Sequence, residues 1–168
     1  SISVLEKQGV EADDIIGTLA VQAIKRGWRT AVISGDKDLM QLVDENVTMI
    51  DTMKDKTYDV AAVKEKFGVG PDKVVEILGL MGDTSDNIPG VPGIGEKTAV
   101  TLLAKYDTLE SIYAHLGELS EGVKKKLEAG QDSARLSRKL AQIVTDLDIP
   151  LDLERARPAV FDPAAVEN

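Results

Sequence analysis

Seven carboxylates fall into three tight groups along the chain. Glu11, Asp13 and Asp14 stand together where a helix begins. Asp36 and Asp38 follow the apolar run 30–34. Asp83 and Asp86 lie in the loop sequence Gly82-Asp83-Thr84-Ser85-Asp86-Asn87. Each group alone has a plain structural reading. The first caps a helix and favours its dipole. The second makes a turn and a cap, and the third caps a loop. Together they say more. Oxygen ligands without histidine or cysteine suit hard divalent ions such as Mg²⁺ or Mn²⁺. Carboxylates brought together without cations repel and raise one another's pKa values. Two ions about 3.5–4 Å apart would relieve that and would polarise a phosphodiester. An EF-hand is excluded: counted from Asp83, the sixth position is Ile88 rather than glycine and the twelfth is Ile94 rather than glutamate.

A second feature is Gly90-Val91-Pro92-Gly93-Ile94-Gly95-Glu96-Lys97-Thr98. It approaches a phosphate-binding P-loop, but Glu96 is inserted before Lys97 and the preceding segment is helical. A hairpin between two helices fits better. The hairpin runs from Gly90 to Gly95, and Gly93 and Gly95 let the backbone approach a phosphate. N–H groups at the next helix start point at it, and Lys97 and Thr98 add direct contacts. Such a grip reads no base identity. Farther on, Lys124, Lys125, Lys126, Arg135, Arg138 and Lys139 form either a phosphate track or a solvated helix face.

The elements that must position these residues follow from periodicity. Residues 2–5 read as a short strand. Apolar spacing at three and four predicts a helix over 11–26, stopped by Gly27. Strands are expected at 30–34 and 47–52, with 57–60 pairing back on the second. Helices are expected at 36–43, 60–67, 71–81, 96–105, 109–115, 121–129 and 133–145. The tail after Pro150 reads as a linker. His115 has no acidic partner at catalytic spacing, and Trp28 reads as core or edge packing.

Composition bounds the rest. The chain has 168 residues, 43% hydrophobic and 29% charged, as expected for a globular protein. It lacks cysteine and has one histidine, which excludes thiolate and multi-histidine metal sites. No apolar run is long enough for a membrane helix, and no secretory leader is visible. The net charge of −9 argues against a simple basic nucleic-acid surface. The acidity is uneven: residues 1–90 carry 16 acidic and 10 basic groups, whereas residues 120–139 carry three and six.

Gly9-Val10-Glu11-Ala12-Asp13-Asp14, Gly35-Asp36-Lys37-Asp38 and the long run Met81–Ala99 together resemble the 5′–3′ exonuclease domain of bacterial DNA polymerase I, in the flap endonuclease family. The likeness continues through Leu136–Leu140 and Thr145-Asp146. It implies an α/β fold: a partial PIN-like nuclease core (1–70), then a helix–three-turn–helix DNA-binding region (71–150), then a linker or incomplete end (151–168). It implies a two-metal site of Glu11, Asp13, Asp14, Asp36, Asp38, Asp83 and Asp86, with Asp13, Asp14, Asp36 and Asp38 catalytic. It implies a hairpin that holds duplex DNA through Gly90, Gly93, Gly95, Lys97 and Thr98, with K⁺ on the loop carbonyls. The implied substrates are DNA 5′ flaps and ends, or RNA primer–DNA junctions. The implied setting is the bacterial cytoplasm, within a longer chain carrying polymerase domains, in primer removal and repair. The family's pattern begins upstream of residue 1, where a further aspartate and a basic helical arch are expected. The chain is thus expected to be a fragment. The competing reading is a catalytically incomplete piece that grips duplex DNA.

Overall fold

A computed structural model of the chain describes residues 3–157. Helix α1 (Ala12–Lys25) buries Ile15, Ala20 and Ala23 and stops at Gly27, whose φ of +76° a glycine adopts freely. Strand β1 (Thr30–Ile33) pairs in parallel with β2 (Val47–Asp51), from Thr30↔Val47 to Ile33↔Ile50. A short 3₁₀ helix (Lys37–Leu42) carries the chain between them. Strand β3 (Lys56–Tyr58) turns back antiparallel on β2. The sheet order is β1-β2-β3. Candidate carboxylates Asp36 and Asp38 therefore sit just past the carboxyl end of a parallel strand, where ligands bind in α/β sheets.

The rest is helical. Helix α2 (Val60–Phe67) is capped by Asp59 and closed by Gly68. Helix α3 (Val74–Met81) is buried almost all round and forms the centre. Helices α4 (Glu96–Tyr106), α5 (Leu109–Ala114), α6 (Glu121–Ala129) and α7 (Gln131–Ala141) follow. Helix α7 packs directly on α3: a Cβ on Gly79 would come within 2.9 Å of Arg138 Cβ. The buried Glu76 ties three helices together, accepting from Arg138 Nε at 2.7 Å and from Leu109 N at 2.8 Å. One apolar cluster runs from Met49 and Leu39 through Ile77 and Leu80 to Leu127.

Three expectations change. Val4 and Leu5 are exposed and form no strand; of the expected strand 2–5, Ile2 lies outside the described residues. The helix expected over 36–43 is a 3₁₀ helix. Helix α7 ends at Ala141 rather than 145, because Ile143, Val144 and Thr145 are β-branched and stiff in a helix. Extended backbone there is instead captured by α1. Asp14 accepts from Val144 N, Thr18 from Leu147 N and Gln22 from Leu151 N, while Arg26 donates to the Leu151 carbonyl. These four side chains stand four residues apart, on one helix face. Past Pro150 a short helix, α8 (Leu153–Ala156), forms, and residues 158–168 of the expected linker lie outside the described residues.

Asp51 closes the β2–β3 turn. Its buried carboxylate accepts from Met53 N, Lys54 N and Lys54 Nζ, the last at 2.8 Å. The Lys54 ammonium, opposed by desolvation, holds its pKa below the ordinary aspartate range. A depressed carboxylate pKa stabilises the fold above the unfolded-state pKa, and the benefit is lost as pH falls through the folded value. Asp51→Asn should therefore melt below wild type at pH 7, and the gap should close on acidification. Thermal melts from neutral to acid pH check this; a gap that stays constant would refute the assignment.

Candidate metal centre and nucleic-acid interface

The three acidic groups come from three places in the fold. Glu11, Asp13 and Asp14 occupy the N-cap and first turn of α1, where the backbone leaves N–H groups free. Asp36 caps the 3₁₀ helix, accepting from Asp38 N at 3.0 Å. Asp83 and Asp86 lie on a tight loop closed by the Asp83↔Ile88 bridge, with Asn87 at a φ of +61°. Within that loop Asp83 Oδ1 accepts from Ser85 N and Ser85 Oγ at 3.0 and 2.6 Å.

Oxygens of Asp38, Asp83 and Asp86 lie within 4.8 Å of one another. Asp13 belongs to the same field: burial and then the charges of Asp36, Glu11, Asp14 and Asp86 raise its pKa. Burial likewise pushes Asp38 up to about 6, helped by Asp36, Asp86 and Asp83 and opposed by Lys37. Asp36 and Asp86 thus act on both Asp13 and Asp38, and all seven carboxylates share one electrostatic neighbourhood. Asp14 differs in one respect, since one of its oxygens is already committed to Val144 N at 2.8 Å.

Lys37 was not among the candidates, yet it is the cluster's counter-ion. Its ammonium contacts Asp83 Oδ2 and Ser85 Oγ, and lies 3.7 Å from Asp86 Oδ2. Burial disfavours its charge, but the Asp83, Asp86 and Asp38 carboxylates outweigh that and raise its pKa. Asp83 responds oppositely: burial would raise its pKa, and hydrogen bonds from Lys37 and Ser85 lower it. The signal was present in sequence, as a lysine between two aspartates of the Asp36-Lys37-Asp38 run.

The residues fit a hard divalent ion. Asp38 Oδ1 is buried without a hydrogen-bond partner. Asp83 Oδ2 also lacks hydrogen-bond geometry, although the Lys37 ammonium lies against it. Asp83 Oδ2 is thus met by a cation, whereas Asp38 Oδ1 has no partner, a costly state for a buried carboxylate oxygen. The donors are all oxygen, as Mg²⁺ and Mn²⁺ require.

The hairpin is adjacent. An open cleft of about 360 Å³ is lined by Lys37, Asp83 and Thr84 at one side and by Gly95 and Glu96 at the other. A larger cavity of about 600 Å³ lies elsewhere, between residues 3–7 and 148–152, and none of the seven carboxylates lines it. Gly95 is the exposed N-cap of α4, and a Cβ there would meet nothing within 4 Å. Lys97 is exposed and Thr98 half-buried in the first turn of that helix. Gly93 has a φ of +81°, so its turn favours glycine. Gly90 was expected to offer its backbone to DNA. It is buried instead, with its N–H donating to Ser137 Oγ at 2.9 Å and its carbonyl accepting from Ser133 Oγ at 2.6 Å. It shapes the turn, and its N–H, the group a phosphate would need, is already committed.

Four of the six basic residues stand in ion pairs. Arg135 pairs with Glu110 and Arg138 with Glu76. Lys124 and Lys125 pair with Glu128 and Glu121. His115 stacks on Tyr106, with ring centroids 5.4 Å apart, and Trp28 lies at the surface under Arg26.

Known proteins resemble this chain in sequence and fold. Residues 1–68 match the family model of the 5′–3′ exonuclease N-terminal resolvase-like domain, and residues 69–164 that of the 5′–3′ exonuclease C-terminal SAM fold. DNA polymerase I of Caldicellulosiruptor bescii is 47% identical over 163 residues, covering 94% of this chain and 19% of that protein. DNA polymerase I of Bacillus caldotenax is 48% identical over 158 residues, covering 91% and 18%. The chain thus spans about a fifth of the length of these relatives. A zinc-bound T5 5′-exonuclease has a TM-score of 0.76 at 24% identity, over 84% of this chain and 53% of that one. A likeness at that identity is one of fold. With both domain models matched in sequence, the chain belongs to the 5′–3′ exonuclease family.

Proposed function

We propose that the chain carries the acidic site and the duplex-gripping hairpin of a structure-selective 5′–3′ exonuclease and flap endonuclease. The observation that carries this is the convergence of Asp38, Asp83 and Asp86 beside a cleft shared with the start of α4. Residues 1–70 serve as the partial nuclease core, 71–150 as the DNA-binding region and 151–168 as the exit to polymerase domains. Asp13, Asp36, Asp38, Asp83 and Asp86 hold two divalent ions of the Mg²⁺ or Mn²⁺ class, with Glu11 and Asp14 at the margin. Such ions polarise a phosphodiester and lower the pKa of bound water. Lys37 balances the Asp83–Asp86 side of the cluster. Gly95, Lys97 and Thr98 hold the duplex backbone and present a 5′ flap, a 5′ end or an RNA primer–DNA junction to the acidic site. The setting is the bacterial cytoplasm, in primer removal and repair.

A K⁺ ion on the hairpin would share carbonyls that already accept hydrogen bonds. Gly90 O accepts from Ser133 Oγ, Val91 O from Ile94 N at 3.0 Å, and Gly93 O from Lys126 Nζ at 3.0 Å. Each of these oxygens keeps a second lone pair, and no step is assigned to K⁺.

The test is cleavage of a labelled 5′-flap duplex by the chain within a full-length polymerase. Product should appear with Mg²⁺ or Mn²⁺ and vanish with excess EDTA. Cleavage that persists in EDTA, or none under any divalent ion, would overturn the reading.

A further inference from the structure

One corner of the acidic cluster holds a cation that the chain itself supplies. The Lys37 ammonium contacts Asp83 Oδ2 and Ser85 Oγ and lies 3.7 Å from Asp86 Oδ2. An ammonium has three donors and no acceptor, and three oxygens meet it here. Two of the three carboxylates that converge within 4.8 Å therefore have an oxygen turned to this ammonium. On the other side of the cluster, among the described residues, no lysine or arginine forms an ion pair with Asp13 or Asp36.

The two partners differ in their freedom. The Asp83 side chain is 6% exposed, and its Oδ1 is held by Ser85 N and Ser85 Oγ, which leaves Oδ2 to Lys37. Lys37 is 31% exposed and borders the open cleft of about 360 Å³. The carboxylate is thus fixed, whereas the ammonium has an open path away from it. A lone pair that faces an ammonium is not free to face a metal ion. A divalent ion at Asp83 and Asp86 would compete with Lys37 for the same oxygens, and its double charge favours the exchange.

We infer that Lys37 is a resident cation at one of the two ion positions, which holds Asp83 and Asp86 in place until a divalent ion displaces it toward the cleft. The two ions therefore bind unequally, the one at Asp83 and Asp86 more weakly. The inference rests on the proposed two-ion role of the acidic cluster.

The test is metal loading of the full-length polymerase without substrate. Mn²⁺ is titrated calorimetrically, and a variant with Asp38→Asn and Asp83→Asn serves as the blank for ions bound elsewhere. Wild type should take one tight and one weak ion above that blank. If Lys37 blocks the weak position in about nine molecules of ten, Lys37→Met should strengthen that ion about tenfold. The tight ion should change far less, and Lys37→Arg should strengthen neither. A second readout follows the ammonium itself. Acylation by an N-hydroxysuccinimide ester, read by peptide mass spectrometry, should be slow at Lys37 in EDTA and several-fold faster in Mg²⁺. The exposed Lys139 should label equally in both. Lys37 labelling that Mg²⁺ leaves unchanged overturns the proposal. So does a weak ion that Lys37→Met leaves unchanged or weakens further. In either case, ions that still bind above the blank leave the metal reading intact. If no Mn²⁺ binds above the blank in wild type or in Lys37→Met, the metal reading fails with it.

Discussion

Asp38→Asn should abolish metal-dependent cleavage and, in the same protein without metal, raise the melting temperature. The two effects have one cause. Asp38 is half-buried beside Asp83 and Asp86, with Oδ1 unpartnered and its pKa pushed by burial and neighbouring charge to about 6. At neutral pH the ionised side chain strains the metal-free fold. Asparagine keeps the shape and removes the charge. Allowing for solvent screening at a half-exposed group, the relief is about 1 kcal/mol, which moves a domain of this size by about 2–4 °C. Loss of a group that supports a metal costs about 10–100-fold in affinity or activity even when it acts at second hand. A direct ligand should cost at least about a hundredfold. Calorimetric titration with Mn²⁺, flap cleavage and melting in EDTA measure the three quantities. Retained cleavage with a lowered melting temperature would make Asp38 a structural cap and remove the case for an ion at this cluster.

Asp36 and Asp38 were legible as candidates at a strand's carboxyl end because residue type and local order suffice there. A β-branched run makes the strand, Gly35 allows the turn, and two aspartates follow at the strand's carboxyl end. The hairpin was legible for the same reason, since its glycines and the helix that follows are neighbours in sequence. What local order could not show is where long-range partners land. Asp14 loses one oxygen to Val144, 130 residues away. Gly90 looks like a free glycine of a binding loop until Ser133 and Ser137 are seen to take its carbonyl and N–H. The end of α7 was misplaced because helical spacing continues past Ala141. The β-branched run and the ladder of acceptors and donors on α1 decide the matter, and only the first of these is visible in sequence.

Lys126 is the intermediate case. The net charge of −9 and a basic run of six seemed to pull against each other, and neither predicts binding by count. Helical spacing separates the six. Glu121 and Glu128 stand four residues from Lys125 and Lys124, so those charges are answered on their own helix face. Glycines stand at both such positions around Lys126. The unanswered cation could have been named from sequence, although not the carbonyl that it meets.

Gly90→Ala should be strongly destabilising, and it should damage the acidic loop and the hairpin together. A Cβ on Gly90 would fall 2.2 Å from Gly82 N and 2.5 Å from Met81 C. Both are backbone atoms at the end of α3, so no flexible side chain can move aside. Gly90 also has a φ of +62°, and Gly82, which it touches, has +73°. Relief would require separating two strands of backbone that are fastened on both sides. Val91 N donates to Leu80 O at 2.8 Å, and Asp83 and Ile88 exchange bonds at 2.8 Å. The expected loss is about 3–4 kcal/mol, or roughly 10 °C in melting temperature. The loop from Asp83 to Asp86 leaves this crossing on one side and the hairpin leaves it on the other. Mn²⁺ affinity and duplex affinity should therefore fall together in Gly90→Ala. Gly95→Val is the counterpart: its extended φ of −96° and open surroundings should keep the melting temperature within about 0.5 kcal/mol of wild type. It should lose duplex binding and keep Mn²⁺ binding. If Gly90→Ala loses only one of the two affinities, the crossing does not couple them, and the acidic loop and the hairpin are positioned independently.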